Sequence, residues 1–125
     1  TTAMACGNIP VVFAKKSPTR NVTGDVYESR VFSFTHGVEN HIRVDKDYLP
    51  KGARVLIIDD FLANGEAAEG LCDLVRQAGA TVVGIGICVE KSFQPGHQKL
   101  AQEGYHVVSL ARVTAIRDGK LIVED

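Results

Sequence analysis

Charge of either sign is nearly absent from the balance: 14 Lys+Arg stand against 15 Asp+Glu, a formal net charge of −1. That leaves no clustered basic footprint for nucleic acid or an anionic membrane, so any polyanion bound here must be held by a local site. Cysteine is scarce as well. Cys6, Cys72 and Cys88 are odd in number, widely spaced and without a Cys-x-x-Cys pair, which argues against a disulfide framework and a zinc knuckle. They read as small core residues in a reducing, cytoplasmic setting. No apolar run reaches membrane-spanning length, and no basic-then-apolar leader opens the chain. Thr1 stands where a starting Met would, which reads as a processed or truncated piece. Repeats and low-complexity linkers are missing. His36, His41, His97 and His106 show no ligand spacing and no partner acid, so they read as solvated or core residues, and no residue is assigned to a metal. Gly84-Ile85-Gly86 lacks the third glycine of a dinucleotide turn, and the sequon Asn21-Val22-Thr23 carries no weight in a cytoplasmic chain.

What is there suffices for one domain over residues 1–125 with its own core: 45% of the residues are apolar. Thr1 to Cys6 predicts the tail of a helix, closed by Gly7-Asn8 in a left-handed turn. Ile9 to Ala14 predicts a short strand with Pro10 at its start. Lys15 to Arg30, polar and broken by Pro18 and Gly24, predicts a long exposed loop. Val31–Phe34 and His41–Val44 predict a small antiparallel hairpin around Gly37.

The second half is clearer. Arg54 to Ile58 is an apolar, β-branched run that suits a strand covered on both faces. Ala67, Ala68, Leu71, Leu74, Val75 and Ala78 recur at helical spacing, with Gly79 as the stop. Val82–Val89, a helix over Pro95–Gly104, and Tyr105–Leu110 follow, and a last hairpin over Ile116–Val123 turns at Asp118-Gly119. Strand, helix, strand, helix, strand implies an α/β fold with a parallel sheet, right-handed crossovers and ligands beyond the carboxyl ends of the strands.

At one such end lie Asp59 and Asp60. Adjacent residues of a strand point opposite ways, so the two carboxylates suit separate hydroxyls of one ligand better than one pinched metal ion. Ala63, Asn64, Gly65, Ala67 and Ala68 are small and leave backbone N–H groups open at a helix start, where the dipole favours an anion. Acceptors for a diol followed by donors for a phosphate describe ribose 5-phosphate. The bland alternative is a strand-to-helix turn capped by Asn64, but such a turn needs neither paired acids nor a run of small residues. A receiver domain would also open on paired acids. It needs an Asp at the end of the later strand, which here ends in Glu90-Lys91, and it does not carry some fifty residues ahead of the pair.

The stretch Val55-Leu-Ile-Ile-Asp-Asp-Phe-Leu-Ala-Asn-Gly-Glu-Ala-Ala68 resembles the phosphoribosyl pyrophosphate (PRPP) motif of type I phosphoribosyltransferases. Gly84-Ile-Gly-Ile-Cys-Val-Glu-Lys-Ser-Phe-Gln-Pro-Gly96, Val11-Val-Phe-Ala-Lys-Lys16, Phe32-Ser-Phe-Thr35 and Ser109-Leu-Ala-Arg112 resemble the xanthine branch of that family, and the likeness runs end to end. Hypoxanthine-guanine enzymes carry an Asp where Ala63 stands; adenine enzymes share the Ala but follow it with Thr rather than Asn64. The resemblance implies the type I fold with flanking helices and a small hairpin. It implies transfer of the 5-phosphoribosyl group from PRPP to xanthine in purine salvage, with Mg2+ brought by PRPP and pyrophosphate, and a homodimer. Asp59 and Asp60, assigned to catalysis, would hold the ribose hydroxyls. Ala63, Asn64, Gly65, Glu66 and Ala67 would wrap the 5-phosphate. Lys91 would read the 6-oxo or N7 edge of the base, and Phe93 would wall the pocket. Lys15, Lys16, Arg20 and Arg30 would otherwise be a solvated basic loop; the resemblance makes Lys16 the PRPP contact. Glu90 reads as a strand end or as orienting a neighbour. Family members carry an N-terminal region with the pyrophosphate loop and the residues that read the purine 2-position, so the resemblance implies a truncated domain that turns over little by itself. The alternative is a non-catalytic PRPP- or nucleotide-sensing module of the same fold.

Overall fold

Strand-forming runs need ladder partners, and those of this chain find them in two separate sheets. The computed structural model describes residues 2–17, 24–33 and 37–124. Pro18, Arg20, the 21–23 sequon and residues 34–36, including Phe34 and His36, lie outside them. In chain order the elements are α1 (Thr2–Ala5), β1 (Lys15–Ser17), β2 (Val26–Ser33), β3 (Val38–Asp45), a 3-10 turn over Lys46–Tyr48, β4 (Arg54–Leu62), α2 (Glu66–Gln77), β5 (Thr81–Lys91), α3 (Gly96–Gln102), β6 (Val107–Arg117) and β7 (Lys120–Glu124).

The first sheet has order β1-β3-β2 and is antiparallel throughout; the second has order β4-β5-β6-β7, parallel except for β7. The α/β reading with a parallel sheet, flanking helices and a small hairpin therefore holds. α2 sits between the sheets. Ala68, Cys72 and Val75 face Ile57, Ile85 and Ile87, with Leu100 of α3 in the same cluster. Leu74 and Ala78 face Val31, Ile42 and Val44 of the hairpin. Leu74, Ile85, Ile87 and Leu100 are fully enclosed, each worth roughly 1.5–3 kcal/mol in apolar burial. Gly70 lets the hairpin approach α2, since a Cβ there would lie 2.6 Å from Val31 Cγ2. The closing turn has Asp118 and Gly119 both at positive φ (53° and 74°), the two-residue hairpin turn expected from the sequence.

Four expectations need correction. Ile9–Ala14 is not a strand: it is exposed and has no ladder partner among the described residues, and pairing starts only at Lys15. The predicted long loop is strand at both ends, because Lys15–Ser17 and Val26–Arg30 both pair with β3. β4 runs on through the acidic pair to Leu62, held by parallel pairing as far as Glu90. Its second face is open. α2 and α3 pack on the same face of the sheet, leaving Leu56, Ile58, Val83, Val108 and Leu110 exposed on the other; apolarity told of a strand but not of what covers it.

Candidate functional site

β4 and β5 end side by side, with Leu62 opposite Glu90. Asp59-Asp60 and Glu90-Lys91 therefore share the carboxyl edge of the parallel sheet, where ligands of such folds sit. Asp59 is half-buried on the side of Ile57, while Asp60 is exposed on the side of Ile58. Asp59 Oδ1 accepts from the Asp60 N–H at 2.9 Å, and Asp60 Oδ1 accepts from the Phe61 N–H at 2.9 Å. Strand alternation does not isolate the pair. Burial first, then hydrogen bonding with the Asp60 side chain and its negative charge, push the Asp59 carboxyl above the ordinary carboxylate range. The Asp60 N–H and the Lys16 ammonium pull the other way. Among the described residues neither carboxylate forms an ion pair. Two acceptors stand together, short of donors.

The following turn supplies donors. Gly65, at φ 90°, caps α2 with no side-chain hydrogen bond, so Asn64 is not the cap that the bland reading requires. The Glu69 N–H donates to Gly65 O at 2.8 Å. The N–H groups ahead of it have no carbonyl to reach within the helix and stand at its positive end, on residues of which Gly65 and Ala68 are buried and Glu66 is half-buried. Ala67 is exposed, so its side chain does not shut them off. The other flank of the turn is closed by Gly96, whose N–H donates to Ala63 O at 2.8 Å. A Cβ at Gly96 would meet that oxygen at 2.4 Å and Gly65 N at 3.0 Å, so only glycine lets the two loops touch. Lys99 of α3 reaches Asn64 O at 3.4 Å and Glu69 at 3.6 Å, setting a cation beside the turn.

The structure thus brings Asp59, Asp60, Ala63, Asn64, Gly65, Glu66 and Ala67 into one strand-to-helix segment, with the Lys16 charge felt at Asp59. Lys91 is exposed and follows Glu90 directly at the edge; Phe93, 48% exposed, lies in the turn closed by the Gln94 N–H on Lys91 O. Arg30 is not drawn in, since it pairs with Glu39 across the hairpin at 3.6 Å. A concavity of about 1000 Å³ lined by Glu28, Arg30, Phe32, Glu39, His41 and Asp73 lies on the hairpin and includes none of the acidic pair or its turn. The candidate site is the open edge, apart from that hollow.

The sequence reading missed a buried charge. Glu90, 3% exposed, accepts from Ser92 Oγ and Ser109 Oγ, each at 2.7 Å, and pairs with His97 Nδ1 at 2.5 Å. Burial alone would raise its pKa; the bonds from His97, Ser92 and Ser109 together outweigh that and hold the carboxyl below the ordinary glutamate range. His41 likewise has an acid, Glu28, at 3.5 Å. Both pairs correct the expectation that the histidines lack partner acids. Their partners are 7 and 13 residues away in the chain, and spacing alone does not show that they meet.

Residues 9–116 match the phosphoribosyl transferase domain family. This chain belongs to that family. It is 50% identical over 120 residues to the xanthine phosphoribosyltransferase of Lactobacillus delbrueckii subsp. bulgaricus, covering 96% of this chain and 64% of that protein. It is 49% identical over 126 residues to the enzyme of that name from Finegoldia magna, covering 98% and 66%. The chain therefore spans less than two thirds of the length of these relatives. Among solved structures, adenine phosphoribosyltransferase from Thermoanaerobacter pseudethanolicus superposes with a TM-score of 0.74 at 26% identity, over 88% of this chain and 60% of that one. The Saccharomyces cerevisiae enzyme, complexed with an imino-altritol bisphosphate and adenine, gives 0.72 at 25% identity, over 86% and 57%. The fold is that of a type I phosphoribosyltransferase, a mostly parallel sheet with helices. Among the described residues no helix is long and apolar enough to cross a membrane.

Proposed function

We propose that the chain is the phosphoribosyl-binding domain of a purine-salvage transferase that moves the 5-phosphoribosyl group of PRPP to xanthine, giving xanthosine 5′-monophosphate and pyrophosphate. The observation that carries this reading is the Asp59-Asp60 couple, without an ion pair among the described residues, running directly into a start of α2 that no side chain caps. In it, the two carboxylates accept from the ribose hydroxyls and the N–H groups of residues 65–67 donate to the 5-phosphate, fixing the sugar at both ends. Loss of pyrophosphate leaves an oxocarbenium-like centre at the anomeric carbon, and the rigid grip on the ring sets it in line with the incoming base nitrogen. The carboxylates near the ring favour the positive charge that develops. No covalent enzyme intermediate is involved. Lys16, whose charge already reaches Asp59, offers a cation to the departing anion. Lys91 donates to the oxo edge of the base and Phe93 lines its pocket. The ~50% identity to enzymes named for xanthine supports that choice of base.

Mg2+ fits as a companion of the substrate, not as a resident ion. Among the described residues no cluster of three or more His, Cys, Asp or Glu could cage a metal. With Asp59 and Asp60 given to the ribose hydroxyls, the ion would take its ligands from substrate oxygens and water. When bound, Mg2+ would supply charge neutralisation at the pyrophosphate. A homodimer in the cytoplasm belongs to the same reading.

Release of pyrophosphate from PRPP by the whole protein, rather than by these 125 residues alone, tests the function, with xanthine, hypoxanthine, guanine and adenine compared. Release fastest with xanthine is the expected result. PRPP binding without release in any mixture would favour the sensing module instead.

A further inference from the structure

Between the two proposed subsites lies a buried network that none of the roles above uses. Glu90 is the last buried residue of β5, and its carboxylate gathers three donors from three places: Ser92 in the turn after β5, Ser109 in β6, and His97, the second residue of α3. The segment between Glu90 and His97 holds Lys91 and Phe93. One step before His97, Gly96 donates to Ala63 O and packs on Gly65 with no room for a Cβ. Ser92 and His97 thus pin both ends of the 91–97 segment to one carboxylate. The far end is also the point of contact with the phosphate turn.

We infer that Glu90 and His97 are positioning residues that lock the base-reading segment 91–97 against the 63–65 turn, so that base and ribose phosphate are held at a fixed separation. The inference rests on the proposed function for its ligands but not for its geometry. A buried carboxylate with both oxygens engaged by donors is held in place, because losing any donor leaves charge less compensated in a low-dielectric site. Two side chains 7 residues apart, joined through the head of α3, make segment 91–97 a closed loop. Its register with the phosphate turn then depends on the bond from His97 to Glu90. A purine nucleotide touches both loops at once and is sensitive to their separation; ribose 5-phosphate touches only one.

The test compares His97→Ala with His97→Gln, which restores a side-chain N–H donor. Hydrogen exchange is followed over 88–98 and over 62–67, and affinities for ribose 5-phosphate and xanthosine 5′-monophosphate are taken by calorimetry. His97→Ala should speed exchange in both stretches and weaken the nucleotide about tenfold, the effect of one bond to a charged group, with ribose 5-phosphate within about twofold of wild type. His97→Gln should restore both. Unchanged exchange at 62–67 in His97→Ala would overturn the coupling whatever the ligands do. Equal losses for both ligands would reduce the network to a structural support. A wild-type chain that ignores both ligands yet shows the coupled exchange would instead contradict the proposed function and leave the lock standing.

Discussion

Asp59 carries an electrostatic conflict. Its carboxyl is half-buried beside a second carboxylate, opposed by the Asp60 N–H and the Lys16 charge, and its pKa is raised above the ordinary 3.8. A carboxyl whose folded pKa is raised costs the fold stability while it is ionised, and the cost disappears as pH falls through that folded value. Asp59→Asn removes the cost at neutral pH and keeps an oxygen to accept from the Asp60 N–H. The variant should therefore melt higher than wild type at pH 7, with the difference shrinking on acidification, while its affinity for ribose 5-phosphate drops about tenfold. Thermal melts with calorimetry check both; a lower melting point at pH 7 would mean that the carboxylate is satisfied within the fold. The acidic pair was readable in the sequence because adjacent Asp residues after an apolar run are unusual by themselves. Glu90 was not, since a lone glutamate ending a strand gives no sign that His97, Ser92 and Ser109 will converge on it.

Among the elements, those that alternate strand and helix were legible from periodicity. β4, α2, β5 and α3 fall within a few residues of their expected bounds, because apolar spacing and the stop at Gly79 are local signals. What escaped depended on partners. Ile9–Ala14 has strand composition but no ladder partner among the described residues, and β6 runs to Arg117, seven residues beyond the expected Leu110, because β7 folds back along it. The junction between elements touches the candidate site at Gly96. There a methyl group would press on two backbone atoms, Ala63 O and Gly65 N, which cannot turn aside as a flexible side chain can. Gly96→Ala should shift the 63–65 turn, weakening ribose 5-phosphate by about tenfold or more and costing roughly 1–3 kcal/mol of stability. Calorimetry and a urea melt would read it. Unaltered affinity would show that the turn does not depend on the neighbouring loop.

Over the whole molecule, the parallel sheet delivers the acids and the proposed base-reading residues to one edge, while α2 joins that sheet to the antiparallel sheet that carries Lys16 on β1. The proposed site is an open rim formed by the end of β4 and the start of α2, so its specificity should rest on one hydroxyl pair and one phosphate. Calorimetric titration of this chain with ribose 5-phosphate, 2-deoxyribose 5-phosphate and ribose tests that most directly. If carboxylates hold the diol and amides the phosphate, ribose 5-phosphate binds tightest. Deleting the 2-hydroxyl and deleting the phosphate should then each weaken binding about tenfold or more. Equal affinity for ribose 5-phosphate and its 2-deoxy analogue would contradict the account at its centre.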